Sequence, residues 1–498
     1  MANLKSLAKD TAIYGMSSIV GRFFSYLLVP IYTATLSAAS GGYGVITNLY
    51  AYTALLLVIL TYGMETTFFR YANKSNENPE KVYSTILIAV GFTSLLFIAL
   101  IFLFLPQISG AMGYSDHPSY IWVMGLTVAL DSFQCIPFAY LRYKKRPIKF
   151  ATLKLLFIAM TLGLNLLYYI ALPALYKDHP DIIGKIYDPT VGAGYAFYIN
   201  LFCTGSISFC FIKELTGFKY VFDKALMKRM MSYSWPILIL GIAGILNQTA
   251  DRILFPYIYK GSDMNMQLGI YGAASKIAMI MALITQAFRY AYEPFVFGKA
   301  KENDNRETYA KVMKYFVIFT LFAYLVVIGY LDILKFIIGR DYWEGLRVVP
   351  IVMIGTMMYG IYFNLSFWYK LTDKTIWGAY FSGIGCTVLV ISNIIFVPRY
   401  GYMACAWSGI TGYGTSMLIS YFVGQKVYRI NYPIAEMMKY LVLSIILNVG
   451  MYFSNKYLPD GGAVAVNTVL ILIFGAYLVK KDFPLSRFPI VGKYFRHE

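Results

Sequence analysis

Val82–Leu105 reads VYSTILIAVGFTSLLFIALIFLFL, twenty-four residues without a single charge. A bilayer core about 30 Å thick needs roughly 20 apolar residues in one helix, so this stretch is a membrane span. Runs of similar length recur on both sides of it. They begin near Thr11–Leu36, continue through Tyr43–Arg70, Ser119–Tyr143, Phe150–Leu175, Val191–Ile212, Ser232–Tyr257 and Gln267–Tyr292, and end near Gly462–Val479, about fourteen in all. Composition agrees: 58% of the 498 residues are hydrophobic, 14% are charged, and the mean hydropathy is +0.58. Those values exclude a string of soluble domains and point to an all-α polytopic membrane protein.

Forty-three Lys and Arg stand against twenty-five Asp and Glu, a formal net charge of +18. The excess is not spread evenly. Alternate loops carry it, notably Arg142-Tyr143-Lys144-Lys145-Arg146, Lys213 to Arg229, Lys299 to Lys314 and the Lys480 to Arg496 tail, while the intervening loops hold only scattered cations such as Lys177, Lys260, Arg340 and Lys456. Such asymmetry marks the cytoplasmic side of a membrane protein and places both termini there. A basic chain of this kind calls for no nucleic-acid partner. Five Cys and three His, without a CxxC or a His cluster, imply no metal site and no cofactor. The run behind Lys5 and Lys9 is longer than a signal-peptide core and reads as a retained first helix.

Sliding the chain by about 225 residues aligns landmarks, which is the mark of an internal repeat. Pro30 and Tyr32 precede Tyr43-Gly44-Val45 much as Pro256 and Tyr257 precede Leu268-Gly269-Ile270. Tyr140-Leu141-Arg142 ends its helix as Trp368-Tyr369-Lys370 ends another. The expected organisation is an N-lobe of six helices at 1–213, a cytoplasmic linker at 214–230, a pseudo-symmetric C-lobe of six helices at 231–430, two further helices at 431–480 and a basic tail at 481–498. No loop exceeds about 25 residues, too short for a catalytic domain of ordinary size.

With these landmarks in place, the chain resembles the multidrug/oligosaccharidyl-lipid/polysaccharide exporter superfamily, within it the polysaccharide transporter branch of lipid-linked oligosaccharide and O-antigen flippases. The residues that carry the resemblance are Lys9-Asp10-Thr11 with Tyr14-Gly15, Pro30-Ile31-Tyr32, Tyr43-Gly44-Val45, Gly63-Met64 ahead of Phe69-Arg70-Tyr71, Tyr140-Leu141-Arg142, and Asp251-Arg252 ahead of Gly269-Ile270-Tyr271. The resemblance implies a two-lobe transporter that alternates access around a central cavity. It also implies a substrate, an undecaprenyl-diphosphate-linked repeat unit moved across the bacterial inner membrane. The partners it implies are that lipid-linked glycan, membrane lipids, and the polymerase and glycosyltransferases of a polysaccharide route.

Charges inside hydrocarbon are costly unless they face water or one another, so they are the candidates for function. Arg22, about ten residues into the first helix, is too deep to reach the interface easily, and a guanidinium matches a diphosphate. Arg252, Lys276 and Arg289 join it as candidate substrate contacts. Glu65, Asp131 and Asp251 are candidates for ion or proton coupling, and Arg70 and Arg142 for capture of substrate at the cytoplasmic boundary. Each has a structural alternative: helix anchoring for Arg70 and Arg142, packing for Glu65 and Asp131, and an intrahelical pair with Glu293 for Arg289. Adjacent residues on a helix are about 100° apart, so Asp251 and Arg252 do not both face one cavity squarely.

Three functions follow from these residues. A flippase needs net positive charge in the membrane core. A cation-coupled drug antiporter of the same fold needs carboxylates to dominate, and Arg22 argues against it. A membrane glycosyltransferase or ligase needs acids or bases on substantial outer loops, where His179, Asp181 and Asp341 read instead as solvated turns. The expectation is therefore a flippase and not an enzyme.

Overall fold

The structure, a computed structural model, describes residues 26–73, 77–299, 306–371, 374 and 376–482. It is all-helical across those residues. Fourteen principal helices follow a short apolar one at Tyr26–Thr35: α1 Gly42–Thr61, α2 Met64–Ala72, α3 Pro79–Leu103, α4 Pro118–Tyr143, α5 Pro147–Leu166, α6 Gly194–Phe209 and α7 Lys224–Ile258, then α8 Met264–Lys299, α9 Arg306–Gly329, α10 Val349–Leu365, α11 Ile376–Tyr400, α12 Tyr402–Val427, α13 Ile434–Tyr457 and α14 Asp460–Lys481.

Eleven spans among the described residues are long and apolar enough to cross a membrane. The sequence predicts about fourteen, and the other three positions are helices that fall short of that standard. The first is described only as Tyr26–Thr35. α6 has 16 residues, and α12 is long but rich in Gly, Ser, Thr and Tyr. Those small residues let α11 and α12 approach closely: a Cβ on Gly412 would lie 2.8 Å from the Gly385 carbonyl oxygen, and the Ser416 hydroxyl donates to the Phe381 carbonyl at 3.0 Å.

The chain divides into two compact units, one running through Ala273 with Asn393–Tyr402, the other Ala274–Ser392 with the residues from Met403 onward. In the first unit α4 is the hub, packed against α1, α2, α3, α5 and α6. Proline opens α3, α4 and α5, where the missing N–H costs nothing, and the Asn78 side chain accepts from the Glu80 N–H at 2.9 Å to cap α3. Asp223 caps α7, accepting from the Leu226 N–H at 2.9 Å, and pairs with Lys81 at 2.6 Å. Lys81, with that N–H, holds the Asp223 carboxyl down at about 2. Beneath this end Tyr83 and Tyr140 stack at 4.0 Å between centroids, beside Phe68 and Tyr143.

The run read as one span over Tyr43–Arg70 is one span, Gly42–Ala72, made of two helices with a break between them. Tyr62 (φ 32°) and Gly63 (φ 73°) take left-handed conformations between α1 and α2. The Ser234 hydroxyl of α7 donates to the Tyr62 carbonyl at this break, which satisfies a backbone group that hydrocarbon would leave bare. A Cβ on Gly63 would lie 2.9 Å from Ile237 Cγ2. Gly63→Ala is therefore expected to cost about 1–2 kcal/mol, read as a lower unfolding temperature of the purified protein; an unchanged midpoint contradicts the strained backbone.

In the second unit α9 packs against α10, α13 and α14. Lys314, 13% exposed, pairs with both Glu436 of α13 and Asp482 beyond α14, and the Tyr440 hydroxyl donates to Asp482. This clasp fixes the two last helices to α9 at one end; at the other, Asn467 Nδ2 donates to the Gly329 carbonyl at 2.9 Å.

Candidate functional site

Asp131, Cys135, Phe138 and Arg142 occur at spacings of four, three and four in α4, so they form one stripe along about 16 Å of helix. α2, α5 and α6 bring the groups that meet it. Glu65, in the first turn of α2 just after the Tyr62-Gly63 break, pairs with Arg142 and accepts from the Cys135 thiol at 3.4 Å. Arg142 also lies 4.7 Å from the Phe69 ring centroid. Asp131 Oδ1 accepts from the Thr204 hydroxyl of α6 at 3.3 Å. Gln134 Nε2 donates to the Thr204 carbonyl and the Ser208 hydroxyl, both at 2.8 Å, and so fixes α6 against α4.

Lys154 of α5 completes the group. Its ammonium sits 4.0 Å from the Phe138 ring centroid, in the field of Asp131, Cys135, Glu65 and Arg142. Among the described residues it makes no ion pair. Aromatic faces stabilise a desolvated ammonium by about 2 kcal/mol, less than the cost of an unpaired charge in low dielectric. The group therefore holds two carboxylates and two cations in three membrane spans, with one cation in reserve.

Asp251 and Arg252 form a second group in the same unit. They diverge as their spacing requires, yet Tyr271 of α8 meets both: its hydroxyl donates to Asp251, and its ring centroid lies 5.7 Å from the Arg252 guanidinium. Asn48 of α1 donates to the Arg252 carbonyl at 2.8 Å and accepts from the Tyr114 hydroxyl at 2.9 Å. Tyr271 is buried, which leaves the half-exposed Tyr257, hydrogen-bonded to Tyr52 at 2.8 Å, as the aromatic ring here that presents surface.

Lys276 and Arg289 belong to the second unit. The Arg289 guanidinium lies 5.0 Å from the Phe363 ring centroid, and Lys276 is half-buried on the same helix. Arg70 is exposed, its guanidinium 4.0 Å from the Tyr233 centroid. Arg22 and the side chain of Glu293 lie outside the described residues.

Sequence reasoning misses Glu214. Its side chain is 3% exposed, with Lys149 Nζ at 2.6 and 2.8 Å from its two carboxylate oxygens and Arg146 at 3.8 Å. In the sequence it is one more loop acid beside Lys213; only the packing of the Ile212–Thr216 turn under Tyr83 buries it. Around it Lys144 pairs with Glu80 at 3.7 Å and Arg229 with Glu77 at 2.9 Å. Much of the basic character of this end is thus neutralised locally.

A family model described as polysaccharide biosynthesis protein matches residues 7–289, more than half of the chain. The chain belongs to that family. Its long apolar helices make it a multi-pass membrane protein. Among solved structures it is similar to the lipid II flippase MurJ in an inward closed conformation, with a TM-score of 0.72 at 16% identity over 95% of this chain and 99% of that one. It is also similar to an inward-facing multidrug resistance MATE family transporter of the MOP superfamily, at 0.63 and 10% identity over 83% and 94%. A third likeness is a complex of the MATE multidrug transporter DinF-BH, at 0.56 and 16% over 83% and 94%. No curated protein matches the chain. At these identities the likenesses establish the fold, the MurJ/MATE type.

Proposed function

We infer that this member of the polysaccharide biosynthesis family is a flippase that moves an undecaprenyl-diphosphate-linked oligosaccharide from the cytoplasmic to the periplasmic leaflet of a bacterial inner membrane, feeding a cell-surface polysaccharide such as O-antigen. The observation that carries this reading is the set of cations within apolar helices, Lys154 and Arg252 in one unit and Lys276 and Arg289 in the other, against Glu65, Asp131 and Asp251. Hydrocarbon tolerates such charges where they meet an anionic cargo or one another, and a diphosphate is that cargo. In the sequence Arg22 falls in a further apolar run, Thr11–Leu36, and we assign it the same role. Both termini lie in the cytoplasm, on the side where basic loops gather.

Asp131 is the coupling carboxylate in this reading. While it is ionised its field draws on Lys154 without a direct ion pair; once it takes a proton, Lys154 turns to Glu65 and loosens Arg142. Occupancy of one site by a proton thus shifts the populations of two side-chain arrangements. The alternative of a cation-coupled drug antiporter draws on the same two carboxylates and on the likeness to MATE structures. Purified protein titrated with radiolabelled lipid-linked oligosaccharide, and separately with a lipophilic cation, separates the two. Saturable binding of the glycolipid is expected; saturable binding of the cation alone rejects the flippase.

Substitution supplies a second check. Arg22→Ala and Arg252→Ala are expected to reduce surface glycan more than Arg142→Ala at equal protein level, because Arg142 is already half neutralised by Glu65. The reverse order would remove Arg252 from the substrate path.

A further inference from the structure

The turn between α12 and α13 carries a cavity of about 350 Å³ lined by Arg306, Glu307, Arg429 and Asn431. Its walls are fixed from beneath. Arg306, at the start of α9, lies 4.5 Å from the Tyr428 ring centroid and donates through Nη1 to the Arg429 carbonyl at 3.2 Å. Gln425 Nε2 donates to the Ile430 carbonyl at 2.8 Å, and Ile430 is buried with Tyr309, Ala310 and Phe367. The one acid in the lining, Glu307, is engaged by Lys311 at 2.6 Å. Two guanidinium forks and the Asn431 amide therefore share a small concave space with one acid, which is itself paired with Lys311. Forked donors of this kind match the oxygens of a phosphate.

The setting identifies which phosphate. The cavity opens at the end of apolar helices, where Val427 is 43% and Ile434 45% exposed on either side of the turn. Basic pockets between helices at this level are where anionic lipid headgroups lodge, with their chains along the apolar surface. We propose that Arg306, Arg429 and Asn431 form a binding site for the phosphate of an anionic phospholipid in the second unit, separate from the charges assigned to transport.

The test uses the full-length protein in detergent, titrated with phosphatidylglycerol or phosphatidylcholine and read by native mass spectrometry. Wild-type protein is expected to retain phosphatidylglycerol in preference to phosphatidylcholine. Arg306→Gln/Arg429→Gln is expected to lose about tenfold in that retention, the effect of roughly 1.4 kcal/mol of lost charge-assisted contacts. Should the double variant fail to accumulate, Arg429→Gln alone serves, since Arg429 is exposed, and it is expected to weaken the retention in the same direction. Equal retention by variant and wild type overturns the site. Displacement of the lipid by excess inorganic pyrophosphate also overturns it, by making it a site for free phosphate.

Discussion

Lys154→Met is expected to lower surface polysaccharide by at least about tenfold while the protein remains at its normal level and melts no lower than wild type. The two halves of that result come from one fact: the ammonium is held in a membrane span over Phe138, without an ion pair among the described residues. An ionised side chain in that environment costs about 2.5–3.5 kcal/mol on insertion scales. Methionine fills a similar volume, keeps contact with the aromatic ring and carries no charge, so stability is preserved or improved. Transport fails for the opposite reason: Asp131 and the Glu65–Arg142 pair lose the cation that answers to both. Lys154→Arg keeps the charge and is expected to retain most of the activity. Measuring surface glycan and thermal unfolding on the same preparations decides the matter. If Lys154→Met transports normally, the ammonium is a packing element, and the coupling assigned to Asp131 goes with it.

Lys149→Met is expected to have the reverse signature, a loss of about 3 kcal/mol in stability. Breaking a buried ion pair by deleting one partner leaves the other charge stranded, which costs about 3–5 kcal/mol. Here the stranded group is Glu214, 3% exposed, and Arg146 at 3.8 Å softens the effect towards the lower end of that range. Glu214→Gln leaves instead the 30% exposed Lys149, which reaches water, and is expected to cost less. The double variant then costs less than the sum of the two, as residues in direct contact do. Chemical or thermal unfolding in detergent reads the series. A larger loss for Glu214→Gln than for Lys149→Met would mean that the acid is not the buried partner.

The membrane class and the individual helices are legible in the sequence because they depend on local composition. Val82–Leu105 falls on α3 but for its last two residues, and the run over Ser119–Tyr143 is α4 to within a residue. The helix starts follow as well, since Pro118 and Pro147 open helices after a turn. The break at Tyr62-Gly63 is not legible: a tyrosine in a left-handed conformation is held there by Ser234, 172 residues away. α12 falls short of a membrane-crossing composition because it is rich in Gly, Ser, Thr and Tyr, and its Gly412 and Ser416 pack closely on α11.

The candidate site divides along the same line. Asp131, Cys135 and Arg142 share a face by spacing alone, and Glu65 and Asp131 stand out as acids in apolar runs. Their partners do not. Glu65 and Arg142 are separated by 77 residues, Asp131 and Thr204 by 73, and no periodicity links positions on different helices. Lys154 reads as a boundary anchor because it follows the basic cluster at 142–146 by eight residues; α5 carries it about two turns beyond its first residue, Pro147.

Glu65 owes its position to the interruption between α1 and α2. A carboxylate in the middle of an unbroken helix travels only with the whole rod, whereas this one lies in the first turn of a short segment that hangs from the backbone torsions of Tyr62 and Gly63. Swinging that nine-residue lever requires no turn of helix to melt. Its cost includes the bond from Ser234 to Tyr62 at one end and that from Tyr71 to the Arg229 carbonyl at the other, so the stroke of α2 and the grip of α7 are geared to each other at both ends of the segment.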